Sequence, residues 1–176
     1  MINIRIIERG IKIQPLLDEV LSLPEETWVS HSKDRSHKVI PLTVPVIYEG
    51  QDTSILNSNE TINTPQYFKC PKILNWMRRR NFYYHTWAGI YKLPPGGMVP
   101  PHKDDSGDYY IDKMRYHLCL QGRYLYRVEG DPVYTITPGT LFWFDLQTTH
   151  SAECISGDDR ITLLFDLPRP DTLVNP

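Results

Sequence analysis

The second half of the chain is a series of short apolar segments separated by turns rich in glycine and proline. Short segments with such boundaries are typical of β-strands, and many of them at close spacing indicate an antiparallel sandwich or jelly roll. The predicted strands are Phe82–Leu93, Met114–Gln121, Tyr124–Val128, Val133–Ile136, Leu141–Phe144 and Arg160–Leu167. We therefore expect a mainly β fold with flanking helices.

In two of these strands the residues alternate, so that one face is apolar and the other contains polar residues. In Met114–Gln121 the even positions are apolar, whereas the odd positions include Arg115 and His117. In Arg160–Leu167 the odd positions are apolar, and Arg160 lies on the opposite face. Because successive side chains of a strand point to opposite faces of a sheet, we expect Arg115 and His117 to point into a polar cavity, and Arg160 to lie on the face of its strand opposite the apolar one.

The first half of the chain mixes both periodicities. Alternating isoleucines predict a strand over residues 2–6, and apolar residues at helical spacing predict helices over Ile11–Leu23 and Pro71–Arg80. Each predicted helix has a proline near its start, where proline is tolerated. Val39–Tyr48 is apolar but contains two prolines, so we expect at best an edge strand.

Two stretches of the first half are polar and predict loops. Residues 25–38 include His31 and His37, which we interpret as solvated loop residues. Residues 49–66 are rich in Gly, Asn, Ser and Thr and predict a long loop. A loop of that length without regular structure is often functional, for example as a lid, or disordered.

The length of 176 residues predicts a single domain over 1–176. The expected β core spans about 82–170, and residues 1–81 form an α/β elaboration. A formal net charge of −2 argues against nucleic acid or an anionic membrane as the main partner.

Three cysteines without CxxC spacing argue against a disulfide framework, so we expect Cys70, Cys119 and Cys154 to be reduced. The N-terminus has no apolar core of a signal peptide, and no apolar run approaches the 18 residues of a membrane span. A cytoplasmic location fits these features.

The segment after the Pro94–Gly97 turn carries the candidate chemistry. His102 and Asp104 are two residues apart, so an extended chain places both side chains on one face. His150 follows at a distance that suits an adjacent strand. Two histidines and one carboxylate can bind one face of an octahedral Fe(II) and leave three positions open, as in non-haem iron oxygenases. Asp105 is an alternative carboxylate, but the two-residue spacing favours Asp104.

An oxygenase of this type needs an electron-donating co-substrate, usually 2-oxoglutarate, and it also needs O2. The far carboxylate of 2-oxoglutarate requires a fixed cation, and a guanidinium binds a carboxylate through two parallel hydrogen bonds. Arg160, on the strand after the loop that carries His150, is the candidate. Tyr91 is a candidate hydroxyl donor to the same carboxylate.

Several motifs in order resemble one enzyme family. The matching pieces are Pro95–His102, Arg115–Leu120, Pro138–Asp145, and His150 followed by Arg160 and Asp166. With these, residues 82–170 resemble the aspartyl/asparaginyl β-hydroxylase family of Fe(II)/2-oxoglutarate dioxygenases. The resemblance implies a double-stranded β-helix, a cupin-like jelly roll.

The resemblance also implies roles for single residues. His102 and His150 correspond to iron ligands, and Arg160 to the residue that binds the distal carboxylate of 2-oxoglutarate. Arg115 and His117 correspond to residues that bind its near carboxylate or the substrate. Tyr91 stands where the family often places a small hydroxyl residue for the distal carboxylate.

One departure from the family pattern separates this chain from the membrane-bound animal enzymes. Those enzymes have glycine where this chain has Asp104, which completes the triad and resembles the bacterial branch that includes hydroxylases of free amino acids. We expect hydroxylation of an unactivated C–H bond, with release of succinate and CO2. The substrate is an amino acid, either free or as a side chain in a peptide or protein. The alternative is a cupin-like metal-binding or sensor protein without oxidation chemistry.

Overall fold

The computed structural model describes residues 3–30, 37–46, 60–82, 87–104 and 108–169 of the chain. These residues form twelve strands, two α-helices and three short 3-10 turns. The helices are α1 (Gln14–Leu21) and α2 (Pro71–Arg79), and the 3-10 turns are Glu25–Thr27, Tyr67–Lys69 and Asp108–Tyr110. The strands are β1 (Ile4–Glu8), β2 (Val29–Ser30), β3 (Lys38–Pro45), β4 (Thr61–Asn63), β5 (Ala88–Leu93), β6 (Met98–His102), β7 (Lys113–Gln121), β8 (Tyr124–Val128), β9 (Tyr134–Ile136), β10 (Leu141–Asp145), β11 (His150–Cys154) and β12 (Arg160–Pro168).

The strands form two antiparallel sheets. The larger sheet has the order β1-β10-β7-β12-β5-β3-β2, and β4 also pairs with β3. The smaller sheet has the order β6-β11-β8-β9. Two sheets of this kind, with helices on one side, agree with the predicted mainly β class.

Strand parity determines what each face of the larger sheet contacts. The odd residues of β12, including Leu163 and Phe165, belong to the core that the helices complete with Leu17, Val20 and Ile73. Burial of each such side chain contributes about 1.5–3 kcal/mol relative to exposure. The even residues of β12 lie on the opposite face, where the second core joins both sheets. That second core includes Ile4, Tyr124, Tyr126, Phe142, Phe144 and Ala152.

Both helices begin with proline in the first turn, as predicted, but α1 is shorter than the predicted Ile11–Leu23. The buried side chain of Glu19 in α1 accepts hydrogen bonds from the backbone N–H groups of Lys72 and Ile73, at 2.8 and 3.0 Å. These N–H groups lack intrahelical partners at the start of α2, and a carboxylate is favourable there. Glu19 therefore fixes the two helices relative to each other.

The prediction of an edge strand at Val39–Tyr48 is wrong. β3 ends at Pro45 and lies inside the sheet, with β5 on one side and with β2 and β4 on the other. The pairing with β5 shifts register between Pro41 and Thr43, and such an irregularity accommodates a residue that has no backbone N–H.

The smaller sheet contains two strands that the apolar pattern did not predict. β6 lies at one edge of this sheet and contains Pro100 and Pro101, which fit an edge strand because they donate no ladder hydrogen bond. β11 begins at His150, so the prediction that a loop carries His150 is wrong. β11 has a strand on each side, β6 and β8, which fix its position.

Other expectations can be compared with the described residues. The three cysteines are free thiols and buried. Neither described helix is long and apolar enough to cross a bilayer. The predicted loop at 49–66 includes β4, whereas residues 49–59, like His31 and Asp105, lie outside the described residues.

Candidate metal centre and cavity

The structure brings the three predicted metal ligands together. His102 is the last residue of β6, His150 is the first residue of β11, and the two are direct cross-strand partners. Asp104 follows β6 by two residues, and its backbone N–H donates to the carbonyl of Leu146 at 3.1 Å. One donor atom from each of the three side chains lies within 4.8 Å of the other two.

Both histidine rings are oriented by backbone carbonyls. The Nδ1 atom of His102 is 2.8 Å from the carbonyl oxygen of Pro100, and that of His150 is 2.9 Å from the carbonyl oxygen of Thr148. A carbonyl oxygen accepts only, so each Nδ1 carries the proton and each Nε2 has a free lone pair. Each Nε2 lies 3.8 Å from an Asp104 carboxylate oxygen. The donor set therefore faces inward, and in the neutral form of each ring the nitrogen nearest Asp104 is the one that can bind a metal.

Burial keeps the second ligand neutral. His150 is 5% exposed, and burial, only partly offset by the Asp104 carboxylate, lowers the pKa of its imidazole to about 4. At neutral pH its Nε2 therefore remains unprotonated. His102 has a side chain that is 39% exposed, so the donor set opens to solvent on the β6 side.

The three ligands lie on the wall of a cavity between the two sheets. Its volume is about 140 Å³, close to the roughly 150 Å³ of an engineered cavity that accommodates benzene. All seven predicted site residues line it: Tyr91, His102, Asp104, Arg115, His117, His150 and Arg160. Arg115 and His117 of β7 thus point into a cavity, as predicted from the alternation of that strand, and Arg160 of β12 lines the same cavity.

One part of the cavity wall is formed by Arg160, which has no acidic partner among the described residues. Arg160 is 4% exposed, and no carboxylate of the described residues lies within the 4.0 Å of an ion pair. Its Nε donates to the Thr162 hydroxyl at 3.1 Å, and its guanidinium carbon lies 4.3 Å from the ring centroid of Tyr124. A buried cation without a counter-ion is costly, so this part of the cavity is suited to an anionic ligand.

His117 has no hydrogen-bond partner for either ring nitrogen among the described residues, although both atoms are buried. Its ring packs against the edges or faces of Tyr126, Phe142 and Phe144, at centroid distances of 5.1–5.5 Å. Burial, with Arg160 and Arg115 nearby, lowers the pKa of this imidazole well below its ordinary value. His117 is therefore neutral and presents one unused N–H donor and one unused acceptor.

Arg115 is occupied by two aspartates. Its Nε and Nη2 donate to the two oxygens of Asp166 at 2.7 and 2.8 Å, and its Nη1 donates to Asp104 Oδ2 at 2.6 Å. Burial opposes the charge on the guanidinium, but the two carboxylates outweigh it and hold the pKa of Arg115 above its ordinary value. Sequence reasoning assigned Arg115 to the near carboxylate of the co-substrate or to the substrate, whereas its strongest contacts here are within the protein.

Two further residues, Tyr91 and His37, belong to the cavity wall. Burial raises the pKa of the Tyr91 phenol, and the charged groups that act on it are Arg115, Asp166 and Asp104. His37 lines the cavity with its ring centroid 5.2 Å from that of Tyr91, so the interpretation of His37 as a solvated loop residue is wrong.

The sequence indicated Asp166 only as part of the family motif, and its contact with Arg115 was not predicted. A signal was available, because Asp166 is an ionisable residue within the apolar run Leu163–Leu167 of β12, and such a residue is rarely buried without a charged partner. Tyr124 beside Arg160 carried no such signal, because tyrosine in a strand is ordinary core composition.

The donor set fits a divalent transition metal. Two imidazole nitrogens and one carboxylate on one side of a partly open cavity match the ligands and the free positions of the iron site in non-haem oxygenases. His117 and Arg160 line the same cavity as these ligands.

Comparisons with known proteins agree with this arrangement. The sequence matches the family described as Aspartyl/Asparaginyl beta-hydroxylase over residues 17–170, and no curated protein matches the chain. The structure is similar to an oxidoreductase of the 2OG-Fe(II) oxygenase family from Burkholderia pseudomallei, with 14% identity, 88% of this chain and 77% of that chain covered, and a TM-score of 0.59. The prediction of a jelly-roll fold is thereby confirmed.

A partial similarity extends to the Cnp3 cupin domain of Schizosaccharomyces pombe. The identity is 17%, the match covers 49% of this chain and 57% of that chain, and the TM-score is 0.41. The chain thus spans a little over half the length of that cupin domain.

Proposed function

The chain belongs to the aspartyl/asparaginyl beta-hydroxylase family and is a hydroxylase, and on that premise we propose that it is an Fe(II)- and 2-oxoglutarate-dependent dioxygenase. Its substrate is an amino acid, either free or as a side chain in a peptide or protein. Bound Fe(II), 2-oxoglutarate and O2 together supply the oxidising power to hydroxylate an unactivated C–H bond, with succinate and CO2 as co-products.

The observation that carries this proposal is the pairing of two features in one cavity. The inward-facing donors of His102, Asp104 and His150 lie on its wall, and so does the buried cation of Arg160, which has no carboxylate partner in the part of the chain that the structure describes. A metal site alone does not require that cation. A dicarboxylate that reaches from the metal to Arg160 uses both features.

The protein residues hold the co-substrate at both of its ends. Arg160 donates to the distal carboxylate, and its planar guanidinium favours two parallel hydrogen bonds. His117 donates its unused N–H to the near carboxylate, beside the metal ligands. Phe144 and Tyr126 line the same cavity, and their aromatic rings exclude water from the space that the co-substrate occupies.

The charges of the site support binding of a metal and a dicarboxylate together. His117 and His150 are neutral at neutral pH. The two negative charges of Asp104 and Asp166 therefore balance the two positive charges of Arg115 and Arg160. A divalent cation alone, or a dicarboxylate alone, leaves two uncompensated charges in a mostly buried site. When both are bound the described charges balance again, and burial then costs least.

An assay of co-substrate turnover tests the proposal. The purified protein is incubated with Fe(II), 2-oxoglutarate and O2 together with pools of free amino acids or of peptides. We expect succinate release with at least one pool and a gain of 16 mass units in one of its members. Asp104→Ala, which removes a ligand, should release no succinate under the same conditions.

The alternative function, a cupin-like metal-binding or sensor protein, makes a different prediction. It predicts that the protein binds metal and 2-oxoglutarate but releases no succinate above the Asp104→Ala background with any pool. That result would contradict the dioxygenase proposal. A mass gain confined to the free amino acids, or to the peptides, decides between the two substrate classes.

A further inference from the structure

Arg115 and Asp166 form an ion pair that is enclosed by the fold. They are direct cross-strand partners on β7 and β12, and Asp166 is 0% exposed. The guanidinium binds the carboxylate through two hydrogen bonds of 2.7 and 2.8 Å. The hydroxyl of buried Tyr109 also donates to Asp166 Oδ2, at 3.1 Å. Asp166 is thus held from two directions before any ligand binds.

The free side of the same guanidinium holds Asp104. Arg115 Nη1 donates to Asp104 Oδ2 at 2.6 Å. All three guanidinium nitrogens therefore donate to aspartates, and Tyr109, Asp166, Arg115 and Asp104 form one continuous hydrogen-bonded chain. Among the described residues, Asp104 Oδ1 accepts no hydrogen bond, and it lies 3.8 Å from His102 Nε2.

Asp104 needs such support more than the two histidines do. His102 and His150 lie on paired strands, and backbone carbonyls orient their rings. Asp104 lies beyond the end of β6, and a single described backbone hydrogen bond, to Leu146, anchors it. The register of the sheet therefore does not fix the direction of its carboxylate.

A buried ion pair is weak evidence for stability, because its desolvation opposes its attraction and apolar residues of similar volume often replace it without loss. The position of this pair suggests another use. Groups that orient a metal ligand commonly affect metal affinity almost as strongly as the ligand itself.

We infer that Asp166 is a positioning residue for the metal centre, and that it acts through Arg115 to hold the Asp104 carboxylate toward His102 and His150. With Oδ2 bound to Arg115, Oδ1 is the oxygen available to the metal. This inference rests on the proposed function, because it requires that Asp104 ligates a metal. It also gives Arg115 a role distinct from the co-substrate contact predicted from the sequence.

Titration of the metal-free protein with Co(II) under anaerobic conditions tests the inference without turnover. The affinity and the visible absorption of bound Co(II) both report on the ligands. Asp166→Asn keeps the size of the side chain but removes its charge and one acceptor oxygen, so we expect Co(II) affinity to fall by about 10- to 100-fold and the absorption to change. Tyr109→Phe should produce a smaller change in the same direction.

The matched control is Glu19→Gln. It removes the charge of another buried carboxylate, which joins α1 to α2 and lies outside the cavity lining. Co(II) affinity and absorption should stay at their wild-type values in this variant. Equal losses in Glu19→Gln and Asp166→Asn would mean that general destabilisation explains the effect, and the inference would be wrong.

A second variant covers the case in which Asp166→Asn does not fold because Arg115 is left buried and unpaired. The double variant Arg115→Met/Asp166→Leu replaces the pair with apolar side chains and keeps Asp104. It should fold and still lose Co(II) affinity by about 10- to 100-fold. Wild-type affinity and absorption in this folded variant would overturn the positioning role.

The failure of the inference is distinguishable from the failure of the proposed function. If Asp104→Ala loses Co(II) binding but the Asp166 variants do not, the metal centre stands and the positioning role is wrong. If Asp104→Ala binds Co(II) as the wild type does, both are wrong.

Discussion

His102 and His150 stand directly opposite each other on β6 and β11, with ring centroids 4.3 Å apart. Residues far apart in sequence thus become neighbours through one strand pairing, and the backbone carbonyls of Pro100 and Thr148 turn both Nε2 atoms toward Asp104. Each strand presents its histidine at the end nearest Asp104. The predicted metal centre therefore depends on the register of the smaller sheet.

The first prediction concerns this donor set. Replacing His102, Asp104 or His150 by alanine should weaken the binding of one divalent ion. Loss of a group that only orients a metal ligand typically lowers metal affinity by about 10- to 100-fold, and loss of a ligand should lower it by at least as much. Isothermal titration with Mn(II) measures the affinity. Lys103→Ala is the matched control, because Lys103 is exposed and lies between two of the ligands. A triple alanine variant that still binds one ion tightly would contradict the metal assignment.

The second prediction concerns Arg160. Arg160→Ala removes the only charged partner proposed for the distal carboxylate, and a charge-assisted hydrogen bond contributes about 1.5–3 kcal/mol. The dissociation constant for 2-oxoglutarate should rise by at least about tenfold, and Arg160→Lys should lie in between because it loses the planar fork. Anaerobic titration of the Fe(II) protein, followed by its charge-transfer absorption, measures this constant.

The control for Arg160 is Arg127→Ala. Arg127 pairs with Glu153, its side chain is 41% exposed, and it lies outside the cavity lining. Its removal should leave 2-oxoglutarate affinity unchanged. An unchanged affinity in folded Arg160→Ala would instead remove Arg160 from the co-substrate site.

The third prediction follows from the charge balance. Because either ligand alone leaves two uncompensated charges in the site, Mn(II) should strengthen 2-oxoglutarate binding, and 2-oxoglutarate should strengthen Mn(II) binding by the same factor. Typical coupling between two sites is about 5- to 150-fold. Dialysis with labelled 2-oxoglutarate, with and without Mn(II), measures the factor. Independent binding of the two ligands would contradict the proposed arrangement.

The fourth prediction is that one substitution at His117 increases the stability of the protein but weakens its binding of 2-oxoglutarate. In the metal-free protein, His117 has two buried ring nitrogens without partners among the described residues, and an unsatisfied buried polar group costs about 1–3 kcal/mol. His117→Phe should therefore raise the free energy of unfolding by about 1–2 kcal/mol in urea denaturation. The same variant should bind 2-oxoglutarate at least about tenfold more weakly and keep its Mn(II) affinity. A destabilised variant with normal 2-oxoglutarate affinity would exclude the proposed role of His117.

The fifth prediction concerns pH. Burial lowers the pKa of His150 to about 4 from its ordinary value of 6.5, and the pKa of His117 is lowered as well. Between pH 6.5 and pH 4 the unfolded chain therefore binds more protons than the native protein, so stability falls as pH falls through this window. The loss from His150 alone is on the order of 3 kcal/mol.

Urea denaturation in the presence of a chelator, at pH 7, 6 and 5, measures this loss. His117→Phe should show a shallower decline than the wild type, because one of the two buried histidines is absent. A free energy of unfolding that stays constant from pH 7 to pH 5 would show that these histidines are not buried in the neutral form.

Strand alternation explains why much of the larger sheet could be predicted. A shift by one residue would exchange the two faces of a strand, so the apolar positions of β7 and β12 also determine that Arg115, His117 and Arg160 face the cavity. Nothing comparable marks β6 and β11. β6 contains two consecutive prolines, and β11 contains few β-branched or aromatic residues. These strands form because neighbouring strands and the second core hold them in place.

The partners of the site residues were harder to predict than the residues themselves. Spacing brought His102, Asp104 and His150 together correctly, since two of them lie on paired strands. The pairing of Arg115 with Asp166 depends on the register between β7 and β12, which no local pattern specifies. The same holds for Arg160 above Tyr124, because tertiary packing brings β8 and β12 face to face.

The prolines of β6 have a consequence for the behaviour of the protein in concentrated solution. An exposed sheet edge is a template on which a second molecule can add a strand and begin aggregation. Pro100 and Pro101 have no N–H to offer, and the Pro100 carbonyl already accepts a hydrogen bond from His102. Replacing both prolines by residues with a free N–H should therefore make the protein more prone to self-association, even though neither proline lines the cavity.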